Sequence, residues 1–185
     1  MPQERTRKIV IAGIMGAISV FLGLTRWGFI PWFSGASLTI MHVPVIIGAV
    51  LEGPVVGAAI GLIFGLFSLL QASIAPTGPM DVPFTNPLLS VLPRLFIGPV
   101  AWLVWSALKR WPVIGLVAAG IAGSLTNTIL VLGMFVVLGL YPLVVVLPVI
   151  PANGFPEAGV AAVIVLAVVA AWRQIAVGKR QGANL

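Results

Sequence analysis

The sequence predicts an all-α membrane protein of six transmembrane helices, with both termini in the cytoplasm and long extracellular loops. Composition, the lengths of the apolar runs and the placement of charge all point to it. The chain is 60% hydrophobic and only 8% charged, whereas an ordinary soluble domain carries roughly 25% charged residues. So few charges do not cover a water-soluble surface. A helical span needs about 20 mostly apolar residues, so the 185 residues hold six spans, short turns and little else. A single integral membrane domain over residues 1–185 is the expectation.

The first apolar run, Ile9–Leu24, follows Arg5, Arg7 and Lys8. That is the charge order of a secretion signal, but no convincing small-x-small cleavage site precedes Arg26, so the run is read as the first span. The second, Leu38–Leu51, reaches only ~21 Å at helical rise. It must be sheltered by protein, flanked by thinned bilayer, or continued by an ordered loop. The third, Pro54–Ala72, carries Gly57, Gly61 and Gly65 in one i,i+4 stripe, read as an intramolecular packing face. The fourth, Asn86–Leu108, contains Pro93 and Arg94. The fifth, Pro112–Leu140, is long enough to tilt or break, and Phe155–Trp172 is the sixth.

Threading these spans with the N-terminus inside leaves Glu52–Pro54, Lys109–Trp111 and the C-terminal tail in the cytoplasm. The outer connections are then Thr25–Ser37, Ser73–Thr85 and Tyr141–Gly154. Of the ten Lys and Arg, Arg26 falls outside and Arg94 within a span. Arg5, Arg7, Lys8, Lys109, Arg110, Arg173, Lys179 and Arg180 fall inside, as the positive-inside rule requires. The net charge of +6 is therefore a topology signal, and nucleic acid is not an expected partner. The outer connections are long and rich in Pro, Gly and Trp, which marks that face as the place of recognition.

Several chemistries are missing. There is no cysteine and there are only four acidic residues; P-loop, HExxH and GxSxG patterns are absent. No enzyme, cofactor or metal site is expected, and any ATP-driven process requires a partner. What remains is polarity where polarity is costly. An ionisable group in a span costs roughly 2.5–3.5 kcal/mol on insertion scales, so each is a candidate functional residue. Arg94 is the clearest, with two readings: it binds a ligand, or it pairs with Glu157 or with backbone carbonyls near the prolines. His42, the only histidine, serves as a hydrogen-bonding group to a helix or a ligand. Asn86, Asn127 and Asn153 offer amide donors and acceptors, or act as caps and interhelical bonds. Trp27, Trp32 and Phe33 are headgroup anchors or a lid, and Gln71, Thr25 and Asp81 complete the outer polar set.

The block LTIMHVPVIIGAVLEGPVVGAAIGLIFG from Leu38, followed by NPLLSVLPR from Asn86, resembles the S components of energy-coupling factor (ECF) vitamin transporters, over nearly the whole chain. The resemblance implies a small receptor in a prokaryotic plasma membrane. It captures a vitamin near the outer surface, docks on a transmembrane coupling subunit with two ATP-binding-cassette ATPases, and topples to deliver its ligand inward. The family's docking motif, AxxxA on the first span, maps here to Ala12 with Gly16 or to Gly13 with Ala17. Family substrate contacts map by position to Trp27, His42, Gln71, Asn86, Arg94, Asn127, Asn153 and Glu157, with Arg94 and Asn86 foremost. HVPVIIGAVL looks most like the pantothenate-type branch, and a lone intramembrane Arg suits a small carboxylate. A riboflavin-type receptor and a non-transport membrane scaffold are the alternatives.

Overall fold

The computed structural model describes residues 2–30, 38–76 and 81–175; Trp32, Phe33, Lys179 and Arg180 lie outside them. In lipid a peptide group must find its hydrogen bond within its own segment, and the apolar runs accordingly form helices. These are α1 (Pro2–Leu24), α2 (Val43–Glu52), α3 (Pro54–Ile74), α4 (Pro87–Ser90), α5 (Leu92–Leu108), α6 (Pro112–Val137), α7 (Leu143–Val146) and α8 (Phe155–Arg173). Proline stands in the first two positions of α2, α3, α4, α6 and α8, where its missing N–H is one the helix would not have bonded.

Among the described residues, five segments are long and apolar enough to cross a membrane: Gln3–Leu24, Pro54–Ile74, Pro87–Leu108, Pro112–Val137 and Leu143–Arg173. The fold is thus all-α and multi-spanning. The expected second span is the shorter helix α2, whose residues from Val43 to Val50 are all buried, so it is sheltered by protein. A turn of one residue joins α2 to α3. Gly53 adopts φ 102° there, a conformation that side chains rarely accept, and Pro54 starts the next helix.

Three local features differ from the sequence reading. The fourth span is interrupted at Val91, between α4 and α5. Tyr141–Gly154, read as an outer loop, holds α7 and a π-helical turn at Ile150–Gly154 that leads directly into α8; its apolar Leu-Val-Val-Val stretch is long enough to wind once. Phe29–Ile30 (β1) and Leu38–Thr39 (β2) pair antiparallel, Phe29 opposite Thr39. Two-residue strands carry too little alternation to register as a pattern.

Long-range polar contacts gather several helix termini at one end of the bundle. Arg7 on α1 donates from Nε and NH2 to Glu52 Oε2 at 3.2 and 3.1 Å. Arg173 at the end of α8 donates to the Val50 carbonyl at 2.8 Å and lies 5.2 Å from the Trp105 ring centroid. These are ends that the charge pattern places together.

Helix association in lipid relies on close backbone approach, and the α3–α5 seam shows it. A Cβ on Gly57 would stand 2.8 Å from Gly98 Cα, and one on Gly65 would stand 2.8 Å from Val91 Cα. A Cβ on Gly61 would overlap the backbone carbonyl of Arg94. The glycine stripe is therefore an intramolecular face. Ile46, Ile60, Ile97, Leu116 and Val165 fill the main core around it. A second apolar cluster of Leu89, Val131, Phe135 and Val146 sits at the end of the bundle away from the charged termini.

Candidate functional site

Arg94 is built by its neighbour. Pro93 has no N–H, so the Leu89 carbonyl four residues earlier loses its helical donor. The Arg94 guanidinium supplies one instead, NH1 donating to Leu89 O at 2.6 Å. The same guanidinium lies 4.9 Å from the ring centroid of Phe84 and 5.4 Å from that of Phe64, an attractive placement for a cation. Phe84 is held in turn edge-on to Phe135, centroids 5.7 Å apart, and its carbonyl accepts from Ser90 Oγ. Of the two pairing partners read from sequence, the backbone carbonyl is the one found. Among the described residues Arg94 makes no direct ion pair with Glu157 and acts on it only through space.

Glu157 enters from the first turn of α8. Its Oε2 accepts from the Thr39 amide at 3.2 Å, and the Asn127 side chain on α6 bonds to the carboxylate. Oε1 lies 3.5 Å from His42 Nδ1, beyond a good hydrogen-bond length. His42 caps the head of α2 and is fully buried, with Arg94, Asn127, Asn153 and Glu157 nearly so. Side chains from α2, α5, α6 and α8 thus meet in one buried polar cluster.

The cluster is under-partnered. Among the described residues, His42 Nδ1 and Nε2, Arg94 Nε, Ser124 Oγ, Asn127 Oδ1 and Glu157 Oε1 are buried without a hydrogen-bond partner. Each such atom costs about 1–3 kcal/mol, and the gathering of those of His42, Arg94, Asn127 and Glu157 makes this cluster the candidate site.

The other residues singled out from sequence stand apart. Trp27 is 75% exposed, as a headgroup anchor would be. Asn86 caps α4, its Oδ1 accepting from the Leu88 amide at 2.9 Å, and Gln71 is half-buried near the end of α3. No hydrogen bond or ion pair among the described residues joins these three to the cluster. Asn153 is buried in the turn before α8. On α1 the two small-residue pairs, about 100° apart around the helix, meet different surroundings. A Cβ on Gly16 would meet Ile63 Cδ1 at 2.7 Å, whereas one on Gly13 meets nothing within 4 Å. Ala12 packs on the core, and Ala17 is exposed.

Sequence reasoning missed Phe64, Phe84, Ser124 and Thr39. Ser124 is three residues before Asn127, and Phe64 sits on the face of α3 marked by Gly61 and Gly65, so helical spacing could have found both. Phe84 and Thr39 act from irregular segments, where no spacing rule applies.

The sequence pattern of the family described as "ECF transporter, substrate-specific component" matches residues 7–169. The chain belongs to that family. This S component is therefore a transport subunit, not an enzyme, and the scaffold alternative falls away. It is 31% identical over 146 residues to the pantothenic acid transporter PanT of Lactococcus lactis subsp. cremoris, covering 71% of this chain and 74% of that protein. The pantothenate transporter PanT of Leuconostoc mesenteroides subsp. mesenteroides is 31% identical over 138 residues, 70% and 68% of the two chains. The S component is thus related, at moderate identity, to bacterial pantothenate transporters.

Proposed function

We propose that this S component is the high-affinity receptor for pantothenate in a prokaryotic plasma membrane. It works with an ECF transmembrane coupling subunit and two ATP-binding-cassette ATPases. In this reading the chain is one domain of six spans with both termini cytoplasmic, α2 counting as the shortened second. The charged end of the bundle faces the cytoplasm and the polar cluster lies in the outer half. The observation that carries the reading is Arg94, a buried guanidinium that among the described residues has a carbonyl partner and a free Nε, in a chain whose relatives carry pantothenate in their names.

Each role follows from the chemistry of the group. Arg94 binds the ligand carboxylate through charge-assisted bonds. Asn127 and Glu157 present free acceptors, which suit the hydroxyl and amide hydrogens of such a ligand. His42 and Asn153 border the site, Phe84 covers the Arg94 guanidinium, and Asn86 acts on it through α4, while Trp27 anchors the outer end of the bundle and Gln71 lies apart. The coupling subunit docks on the Gly13–Ala17 face of α1, because Gly16 is already occupied by Ile63.

Thermal denaturation of the purified protein with a panel of vitamins tests this. Pantothenate at 100 times its dissociation constant should add about 2.7 kcal/mol of stability, and riboflavin should add none. Arg94→Ala should leave the protein folded and weaken pantothenate binding roughly 100-fold, in keeping with the strength of a charged hydrogen bond. Stabilisation by riboflavin and not by pantothenate would move the protein to the riboflavin-type branch.

A further inference from the structure

Three ionisable side chains are buried together: His42 at the head of α2, Arg94 on α5 and Glu157 on α8. With a cationic Arg94, an anionic Glu157 and a neutral His42, the cluster sums to zero charge. A carboxylate brought to Arg94 adds one negative charge to it. An uncompensated charge in such an interior is costly, so the surroundings decide whether anything there supplies a positive one.

Little does. Around Glu157, β2 contributes the Thr39 amide, α6 contributes Asn127 and the turn before α8 contributes Asn153, none of which titrates. Asp81 precedes the turn that carries Phe84 and is partly exposed; Arg26 is exposed in the first outer connection. Glu52, at the opposite end of α2, is engaged by Arg7. What the cluster does hold is an imidazole nitrogen 3.5 Å from a carboxylate oxygen, with no hydrogen-bond partner for either among the described residues. That pair can take one proton and share it, and the charge gained is the same whichever atom carries it.

We infer that an anionic ligand and one proton bind this protein together, the carboxylate at Arg94 and the proton on the His42–Glu157 pair. The inference rests on the reading above in one respect, that the ligand presents a carboxylate to Arg94. Its sign follows from linkage. The complex holds one more proton than protein and ligand apart, so affinity weakens as pH rises, by about tenfold per pH unit between the pH at which the ligand-free pair loses its proton and the higher pH at which the complex loses it.

Isothermal titration calorimetry of the full chain in lipid nanodiscs, in buffers of different ionisation enthalpy, counts the protons directly. Pantothenate should take up about one proton per molecule bound, and its dissociation constant should rise about tenfold per pH unit between those two pH values. The corresponding primary alcohol, which lacks the carboxylate, should bind the same wild-type protein with no proton uptake and no pH slope. Glu157→Gln keeps an oxygen for the Thr39 amide and removes the negative charge. It should abolish uptake, flatten the slope and bind pantothenate more tightly than wild type at high pH, whereas loss of a simple hydrogen-bonding residue would weaken binding at every pH. Arg94-dependent binding of pantothenate without proton uptake overturns the inference and leaves the receptor reading standing. Binding in which Arg94→Ala weakens pantothenate no more than the alcohol overturns both.

Discussion

The α3–α5 seam and the polar cluster beside it share a residue and obey opposite rules. The backbone of Arg94 belongs to the seam, pressed against Gly61, while its side chain belongs to the cluster, with one hydrogen bond made and Nε left over. In the seam glycine meets backbone and the packing is complete. In the cluster, side chains from four helices approach and satisfy one another only in part, Asn127 bonding to Glu157 while other polar atoms are left over among the described residues. A rigid backbone frame is what allows a costly, unfinished polar arrangement to persist.

The most damaging way to break that pairing is Gly61→Leu. A side chain there has to displace the Arg94 carbonyl, and overpacking a tight interior costs about 1–3 kcal/mol or more; against backbone, which yields less than a side chain does, the upper end is expected. The variant should lose most of its folded, monodisperse protein in size-exclusion chromatography, and the residue that folds should bind ligand poorly. Normal yield with normal binding would mean the seam is looser than its geometry.

Helix α1 repeats the contrast on its two faces and gives a sharper test. Gly16 is filled by Ile63 and Gly13 opens outward, among the exposed side chains of Val10, Ile14 and Phe21. Gly13→Trp should leave folding and ligand affinity unchanged and abolish uptake in cells and co-purification with the coupling subunit. Gly16→Trp should instead lower thermal stability. Intact uptake by the Gly13 variant would remove this face from docking.

The frame was more legible in the sequence than the site. Apolar length and charge placement showed the spans, because lipid leaves a chain few alternatives to helix, and the i,i+4 glycines marked the seam because they repeat at helical spacing. Arg94, His42, Asn127 and Glu157 could be singled out by their cost in a span, yet their meeting point depends on how four helices pack. The carbonyl that holds Arg94 was foreshadowed by the proline before it. Phe84 was not, since it reaches Arg94 from a short 3-10 turn, Val82–Thr85, that has no periodicity to read. The α1 pairs were likewise alike in sequence, and only the contact with Ile63 tells the packed Gly16 from the open Gly13.

Asn86 marks the border between frame and site, and the smallest effect decides its side. Its Oδ1 holds the Leu88 amide at the start of the short helix α4, and the next residue, Leu89, offers the carbonyl that anchors Arg94. Removing such a cap costs about 1 kcal/mol. Asn86→Ala should therefore lower stability by about that much and loosen ligand binding only a few-fold, through α4, while Asn86→Asp, which keeps the acceptor, should restore both. A tenfold or greater loss of affinity at unchanged melting temperature would reverse the assignment. It would place the Asn86 amide on the ligand itself and extend the unfinished polar arrangement outward, past Arg94, to the mouth of the bundle.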